Sequence, residues 1–169
     1  MANTQAQFGF QHYGYLPGSG VDYQLSKYQI QSSYATKIYF GDPVCKSATS
    51  QYIIPATAST GGTSLTGIFY GCQYTPTGGT PTWSPWFPAS VGADATAYVI
   101  DAPNALFKVA ALLTAVPATA IGNNIGFSTG AGGTTVGGGF STYTVDQASL
   151  AVSGATMPFR VVSLYPGVG

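Results

Sequence analysis

The chain has 169 residues, and only ten of them are charged: five Lys or Arg and five Asp, with no Glu. Charged residues make up 6% of the chain, compared with about 25% in an average soluble protein, and the formal net charge is zero. With one His, two Cys and no closely spaced pair of carboxylates, the chain lacks the usual groups of acid-base, nucleophilic and metal-dependent catalysis. The composition therefore argues against an enzyme. It also argues against nucleic-acid binding, because the few cations are scattered along the chain.

Length and the N-terminal sequence predict one domain that folds in a cytoplasm. A chain of this length fits a single core, and its first residues have neither the basic nor the apolar region of a secretory signal. The longest apolar stretch, 105–121, is interrupted by Lys108 and Pro117 and is shorter than the roughly 20 residues of a membrane span. No membrane contact is expected. In this compartment we expect Cys45 and Cys72 to be reduced and buried.

The N-terminal segment differs from the rest of the chain in its aromatic content. We predict an extended arm over residues 1–24, followed by a β domain over residues 25–169. Burying four rings of about 200 Å² each yields about 20 kcal/mol, and ordering about fifteen residues costs a similar amount. The arm should therefore be fixed only where a partner or its own domain supplies a surface. Its four aromatic residues are Phe8, Phe10, Tyr13 and Tyr15.

Short segments with period-two alternation, bounded by Gly and Pro, recur along the rest of the chain. This pattern predicts an all-β fold, a jelly-roll-like barrel or sandwich. A short helix is plausible only within 112–124, where Pro117 limits it to a turn or two. The predicted strands are 27–31, 36–40, 51–54, 65–75, 95–101, 106–112, 140–146 and 158–165.

The strand at 65–75 has the clearest alternation. Ile68, Tyr70, Cys72 and Tyr74 are predicted to share one face. Gly67 and Gly71 indicate a bulge or a close backbone approach within this strand.

The most concentrated aromatic segment is Thr82-Trp-Ser-Pro-Trp-Phe-Pro88. Trp83, Trp86 and Phe87 would pack on the domain or at a subunit interface, where Trp is enriched. Alternatively, Trp83 and Trp86 would stack on a sugar ring.

Candidate ligands for a cofactor or metal are scarce. His12, the cysteines and the aspartates show no metal-ligand spacing, and the glycine-rich segment 130–139 lacks the Lys-Ser/Thr ending of a phosphate-binding loop. We expect no cofactor and no metal site. Four aspartates lie beside Gly, Pro or a strand end, which favours a role in turns: Asp22, Asp42, Asp94 and Asp101.

A series of short motifs runs through the whole chain. They are Met1-Ala-Asn with Phe8-Gly-Phe10, Gly41-Asp-Pro-Val44, the segment 82–88, Tyr98-Val-Ile-Asp101, Ala120-Ile-Gly-Asn123, Ser141-Thr-Tyr-Thr-Val-Asp146 and Thr156-Met-Pro-Phe-Arg-Val-Val162. In this order they resemble the cement or decoration proteins of tailed-bacteriophage capsids.

The resemblance implies a virion structural protein that is made in the host cytoplasm and binds the exterior of the phage head. It would stabilise the shell across boundaries between major capsid proteins and associate with itself, as a dimer or trimer. The capsid-docking residues would be Phe8, Phe10, Tyr13 and Tyr15. A glycan-binding surface appendage that uses Trp83 and Trp86 is the alternative.

Overall fold

The computed structural model describes residues 7–20, 24–57, 65–111, 116–129, 141–151 and 157–165. The glycine-rich segment 130–139 lies outside the described residues, as do residues 1–6 and 21–23 of the predicted arm.

The described residues form short β-strands and one turn of 3-10 helix, which confirms the predicted all-β fold. Within 112–124, where the sequence allowed a helix of a turn or two, the described residues contain a 3-10 turn at Ala118–Ala120, directly after Pro117. No helix in the described ranges has the length and apolar character needed to cross a bilayer. The strands are β1 (Gln11–Tyr15), β2 (Ser26–Ile30), β3 (Pro43–Lys46), β4 (Ile53–Pro55), β5 (Gly67–Tyr74), β6 (Thr82–Ser84), β7 (Ala95–Ile100), β8 (Ala105–Lys108), β9 (Asn124–Thr129), β10 (Tyr143–Ala151) and β11 (Phe159–Arg160).

The main sheet is antiparallel and has the strand order β2-β7-β5-β3-β4, with β6 also paired to β5. Its outer strands β2 and β4 approach each other without forming a ladder, so the sheet curls but does not close into a barrel. Alternate side chains from all five of these strands point to the inside of the curl. The first core consists of Ile30, Ile38, Val44, Ile53, Phe69, Cys72, Phe87, Ala95, Ala97 and Val99.

A β-bulge interrupts β5, as the glycines of this strand predicted. Phe69 pairs with Val99 and Gly71 pairs with Tyr98, which leaves Tyr70 without a partner in the ladder. The extra residue shifts the alternation by one position. The prediction of a shared face for Ile68, Tyr70 and Cys72 is therefore wrong: Cys72 lies in the first core, Ile68 belongs to a second one, and Tyr70 is exposed.

The second core lies between the main sheet and two smaller sheets. One small sheet pairs β1 with β8, and the other has the order β10-β9-β11. Nine partly buried side chains, including Phe107 and Phe159, also pack against this core. Its buried members are Phe10, Ala56, Ile68, Ile125, Phe127, Tyr143 and Val145.

The N-terminal segment is part of this second layer, in contrast to the predicted division at residue 24. The ring of Phe10 is 2% exposed and stacks on Phe159 with 4.6 Å between the ring centroids. The Phe10 N–H donates to the Gly41 carbonyl at 3.0 Å, and β1 forms a ladder with β8. The domain itself supplies the surface that orders the segment, which is one of the two possibilities that the sequence-based energy balance left open.

Two glycines permit this close crossing of chain segments. Gly9 has φ +68°, and an added Cβ would collide with the side chain of Ser141. Gly41 has φ +86°, and an added Cβ would lie 3.1 Å from the backbone N of Phe10. Both positions combine a left-handed backbone with too little space for any larger residue.

Candidate functional site

The three aromatic residues of segment 82–88 have different surroundings. Trp83 lies on β6 and is 54% exposed. Trp86 is half-buried and stacks on Tyr39 at a centroid distance of 6.5 Å. Phe87 is completely buried in the first core and forms an isolated bridge with Ile38. Phe87 is therefore corrected from a surface residue to a core residue, and only Trp83 presents a largely open indole.

The position of Trp83 follows from the register of β6 on β5. Trp83 pairs with Gln73, while the adjacent Ser84 pairs with Cys72 and faces the first core. Gly71 provides the space that the indole occupies, since a Cβ there would lie 3.0 Å from Cζ2 of Trp83. The ring thus rests against β5 and is held on a rigid part of the fold.

The predicted docking residues of the N-terminal segment are also separated by the structure. Phe10 is a core residue, so its ring is not available to a partner, and its assignment to docking is corrected. Tyr13 is 70% exposed. Tyr15 and Phe8 are half-buried, and the Tyr15 ring contacts His12 at a centroid distance of 4.9 Å.

Bulges place two tyrosines on the surface. Tyr13 lies at an irregularity between His12 and Gly14 in β1, and Tyr70 lies at the bulge before Gly71 in β5. A bulge is a common way of redirecting a side chain out of a sheet. Sequence reasoning recognised the bulge near Gly71 but not its effect on Tyr70, and it missed the bulge in β1. In both cases the signal is a Tyr-Gly pair inside a strand.

The surface around β1 and β8 carries further apolar side chains. Leu16 follows β1 and is exposed, and its N–H donates to the Asn104 carbonyl. Tyr165 is exposed as well, with the Lys108 ammonium 3.8 Å from its ring centroid. We call the exposed side chains of Tyr13, Leu16 and Tyr165 the β1–β8 surface. Sequence reasoning had assigned no role to Leu16 or Tyr165.

The aspartates of the described residues are used as hydrogen-bond acceptors. Asp42 forms a turn, because its Oδ2 accepts from the Tyr39 N–H at 2.8 Å. Asp101 accepts from the hydroxyls of Ser26 and Tyr28, which lie on a neighbouring strand, so it links strands and does not form the predicted turn. Both of these roles are structural. Asp42 and Asp101 do not form a pair of carboxylates arranged for acid-base chemistry.

Asp42 is the most unusual of these carboxylates. It is 2% exposed, and its Oδ1 has no hydrogen-bond partner within the described residues. Burial raises its pKa to about 6, an effect that the Tyr39 amide and the Ser141 hydroxyl partly oppose. The pKa of Tyr143 is raised as well, first by burial and then by the charge of Asp42.

The two cysteines are unpaired and belong to different cores, which agrees with the prediction of free thiols. Cys72 is buried, its Sγ lies 3.6 Å from the Trp86 carbonyl, and burial raises its pKa to about 12. Cys45 is half-buried and not buried as predicted, and its partial burial raises its pKa too. Neither thiol lies in an environment that promotes the thiolate.

Comparison with known proteins identifies no relative of this chain. No family model matches the chain, and neither the curated proteins nor the solved structures contain a match. The function is therefore argued from the surface alone. In the described residues, no three or more of His, Cys, Asp and Glu come together as a possible metal site. What this part of the chain offers to a partner is exposed aromatic rings and uncharged hydrogen-bonding groups.

Proposed function

We propose that this chain is a capsid decoration, or cement, protein of a tailed phage. It binds the outer surface of the assembled head across boundaries between major capsid proteins and stabilises the shell. The observation that supports this most is the β1–β8 surface: Tyr13 is 70% exposed on β1, Leu16 is exposed directly after this strand, and Tyr165 is exposed where it meets Lys108 of β8. Exposed apolar side chains on a rigid strand are typical of a protein-binding site.

The backbone of β1 also suits attachment to another protein. In the described part of the chain, β8 is the only strand hydrogen-bonded to β1. The other edge of β1 can therefore accept a strand of a capsid protein, with the backbone supplying affinity and Tyr13 supplying an anchor. This contact needs no charged groups, which agrees with ten charges in 169 residues.

Stabilisation follows from linkage. A protein that binds the assembled shell, and not the free subunits, shifts the equilibrium away from disassembly. A homodimer or homotrimer would present several β1–β8 surfaces to neighbouring capsid subunits, and each additional contact would raise the overall affinity. A modest affinity per copy is then sufficient.

Two bulge tyrosines allow a controlled test. Tyr13→Ala removes the proposed anchor, whereas Tyr70→Ala removes the exposed ring at the bulge of a different sheet. Each variant is mixed with heads that lack the protein, and the bound fraction is measured by co-sedimentation. We expect Tyr13→Ala to bind at least about tenfold more weakly, which corresponds to about 1.4 kcal/mol, and Tyr70→Ala to bind like the wild type. Equal binding of the two variants, or no binding of the wild type, contradicts the proposal.

A further inference from the structure

The outer face of the main sheet carries a continuous row of uncharged side chains. Gln29 of β2 pairs with Thr96 of β7, Thr96 pairs with Gln73 of β5, and Gln73 pairs with Trp83 of β6. Directly paired residues of an antiparallel sheet point to the same face, with Cβ atoms about 5 Å apart. We call these four side chains the neutral row. At about 4.8 Å between strands, the row spans about 14 Å.

The neutral row points away from the first core. Its neighbours along the strands, Ile30, Cys72, Ala95 and Ala97, are all buried in that core. Because successive residues of a strand alternate between faces, the row itself faces outward. Gln29, Gln73 and Trp83 are exposed, and Thr96 is half-buried.

A second row beside it adds aromatic surface. Lys27 pairs with Tyr98, and Tyr98 pairs with Gly71, against which the Trp83 indole lies. The Lys27 ammonium is 6.0 Å from the centroid of the Tyr98 ring. The indole of Trp83 thus borders both rows, next to the Gln73 amide on one side and towards Tyr98 on the other.

The polar groups of the neutral row are free to bind a ligand. Within the described residues, no hydrogen bond engages the side-chain amides of Gln29 and Gln73. Each amide offers two N–H donors and a carbonyl acceptor, and the Thr96 hydroxyl offers a donor and acceptors. These groups lie on strands, so their spacing is set by the sheet.

Among the described residues, this face carries little charge. Lys27 is the cation that the two rows contain, and Asp94 directly precedes Ala95 at the start of β7. The Asp94 carboxylate already accepts from the Ser32 N–H at 2.9 Å and from the Tyr52 hydroxyl at 2.7 Å. The complementary ligand is therefore uncharged, rich in hydroxyl groups, and has an apolar face that can lie on an indole.

We propose that this face binds a neutral oligosaccharide. A sugar ring stacks on the exposed side of Trp83, and hydroxyls of this and neighbouring sugars hydrogen-bond to Gln73, Thr96 and Gln29. This site differs from the one that the sequence suggested, which used Trp83 and Trp86. Trp86 stacks on Tyr39 and is not part of the neutral row. It is separate from the β1–β8 surface, so this function and capsid attachment are tested independently.

The test uses the full chain and three neutral hexasaccharides, of glucose, mannose and N-acetylglucosamine, with a hexauronate as the acidic comparison. Binding is measured by calorimetry and by the shift of tryptophan fluorescence. We expect at least one neutral hexasaccharide to bind, and Trp83→Ala and Gln73→Ala each to weaken its binding by at least about tenfold. Tyr13→Ala, which removes an exposed ring outside this face, serves as the matched control and should bind the sugar like the wild type.

Trp83 also covers Gly71, so its replacement can disturb the pairing of β5 with β6. Gln73→Ala and Gln29→Ala avoid this problem because both side chains are exposed, and circular dichroism verifies the fold of each variant. Failure of all three neutral hexasaccharides to bind overturns the proposal. Binding of the hexauronate alone, or sugar binding that survives both Trp83→Ala and Gln73→Ala, overturns it as well.

Discussion

The two cores of this protein are built in different ways. The first core is mostly aliphatic and is enclosed by one curled sheet, whose strands all lie between residues 26 and 100. The second core contains a cluster of aromatic rings among aliphatic side chains and joins segments that are far apart in the sequence, from Phe10 to Phe159. It also lies beside the buried carboxylate of Asp42 and the crossing of Gly9 and Gly41. The first core depends on sheet alternation, whereas the second depends on a few large rings and on closely crossing backbone segments.

The largest expected effect comes from removing the ring at the centre of the second core. Phe10 stacks on Phe159 and makes edge contacts with Phe107 and Phe127. We expect Phe10→Ala to lower the free energy of unfolding by about 3–5 kcal/mol, because a buried ring is replaced by a cavity. Denaturant unfolding measures this value. Tyr13→Ala, in the same segment but exposed, should change it by less than about 0.5 kcal/mol.

Hydrogen exchange shows whether the two cores open together. In Phe10→Ala, amides of β9 and β10 should exchange faster, while those of β5 and β7 in the main sheet should keep most of their protection. Equal acceleration in all four strands would mean that the cores form a single cooperative unit. In that case the two cores would differ in composition but not in stability.

The first core is the part of the fold that the sequence could predict. The predicted strands 27–31, 65–75 and 95–101 overlap β2, β5 and β7, because alternating residues there mark a buried face. The prediction was less accurate around residue 40, where a strand at 36–40 was expected. The structure has isolated bridges at Ile38 and Phe40, and the strand begins at Pro43.

The second core could not be predicted in the same way. The pairing of β1 with β8 joins Gln11 to Lys108, and no local pattern specifies so distant a partner. The same limit applies to the neutral row. Trp83 is conspicuous in the sequence, but its alignment with Gln73, Thr96 and Gln29 depends on the register of four strands.

The next largest expected effect is a change of stability with pH that Asp42 causes. Its pKa is about 6 in the folded protein, compared with 3.8 for the unperturbed group. Between these values the unfolded chain loses the proton while the folded protein keeps it, so stability should fall as the pH rises from about 4 to about 6. A shift of about two pKa units corresponds to about 3 kcal/mol. Chemical denaturation across this pH range measures the slope, and Asp42→Asn should remove it.

Asp94 provides the control for this measurement. Hydrogen bonds from Tyr52 and Ser32 lower its pKa, so its contribution to stability is lost as the pH falls, which is opposite to the contribution of Asp42. Asp94→Asn should therefore leave the decline between pH 4 and 6 in place. If Asp42→Asn keeps the slope, the buried carboxylate is not its source.

Each core contacts one cysteine, so the rate of thiol labelling reports how readily each core opens. We expect both cysteines to be reduced, with Cys45 labelled slowly in the native protein and Cys72 labelled only after unfolding, because Cys72 is fully buried in the first core. Mass spectrometry of the labelled protein, before and after denaturation, gives the order. Labelling that requires a reductant even in denaturant would reveal a disulfide, and faster native labelling of Cys72 would show that the first core opens more readily.

The smallest expected effect is that of salt on capsid attachment. Exposed ion pairs contribute about 0–1 kcal/mol and are screened beyond about 8 Å at physiological ionic strength. The β1–β8 surface contains Tyr13, Leu16 and Tyr165, and the neighbouring Lys108 ammonium already lies over the Tyr165 ring. Apolar contacts hold or strengthen in salts that are excluded from protein surfaces.

Occupancy of heads should therefore be constant between about 50 mM and about 1 M salt, a range over which the Debye length falls from above 10 Å to about 3 Å. Release of the protein at high salt, with the shell intact, would assign the attachment to the few Lys and Asp residues instead of the β1–β8 surface.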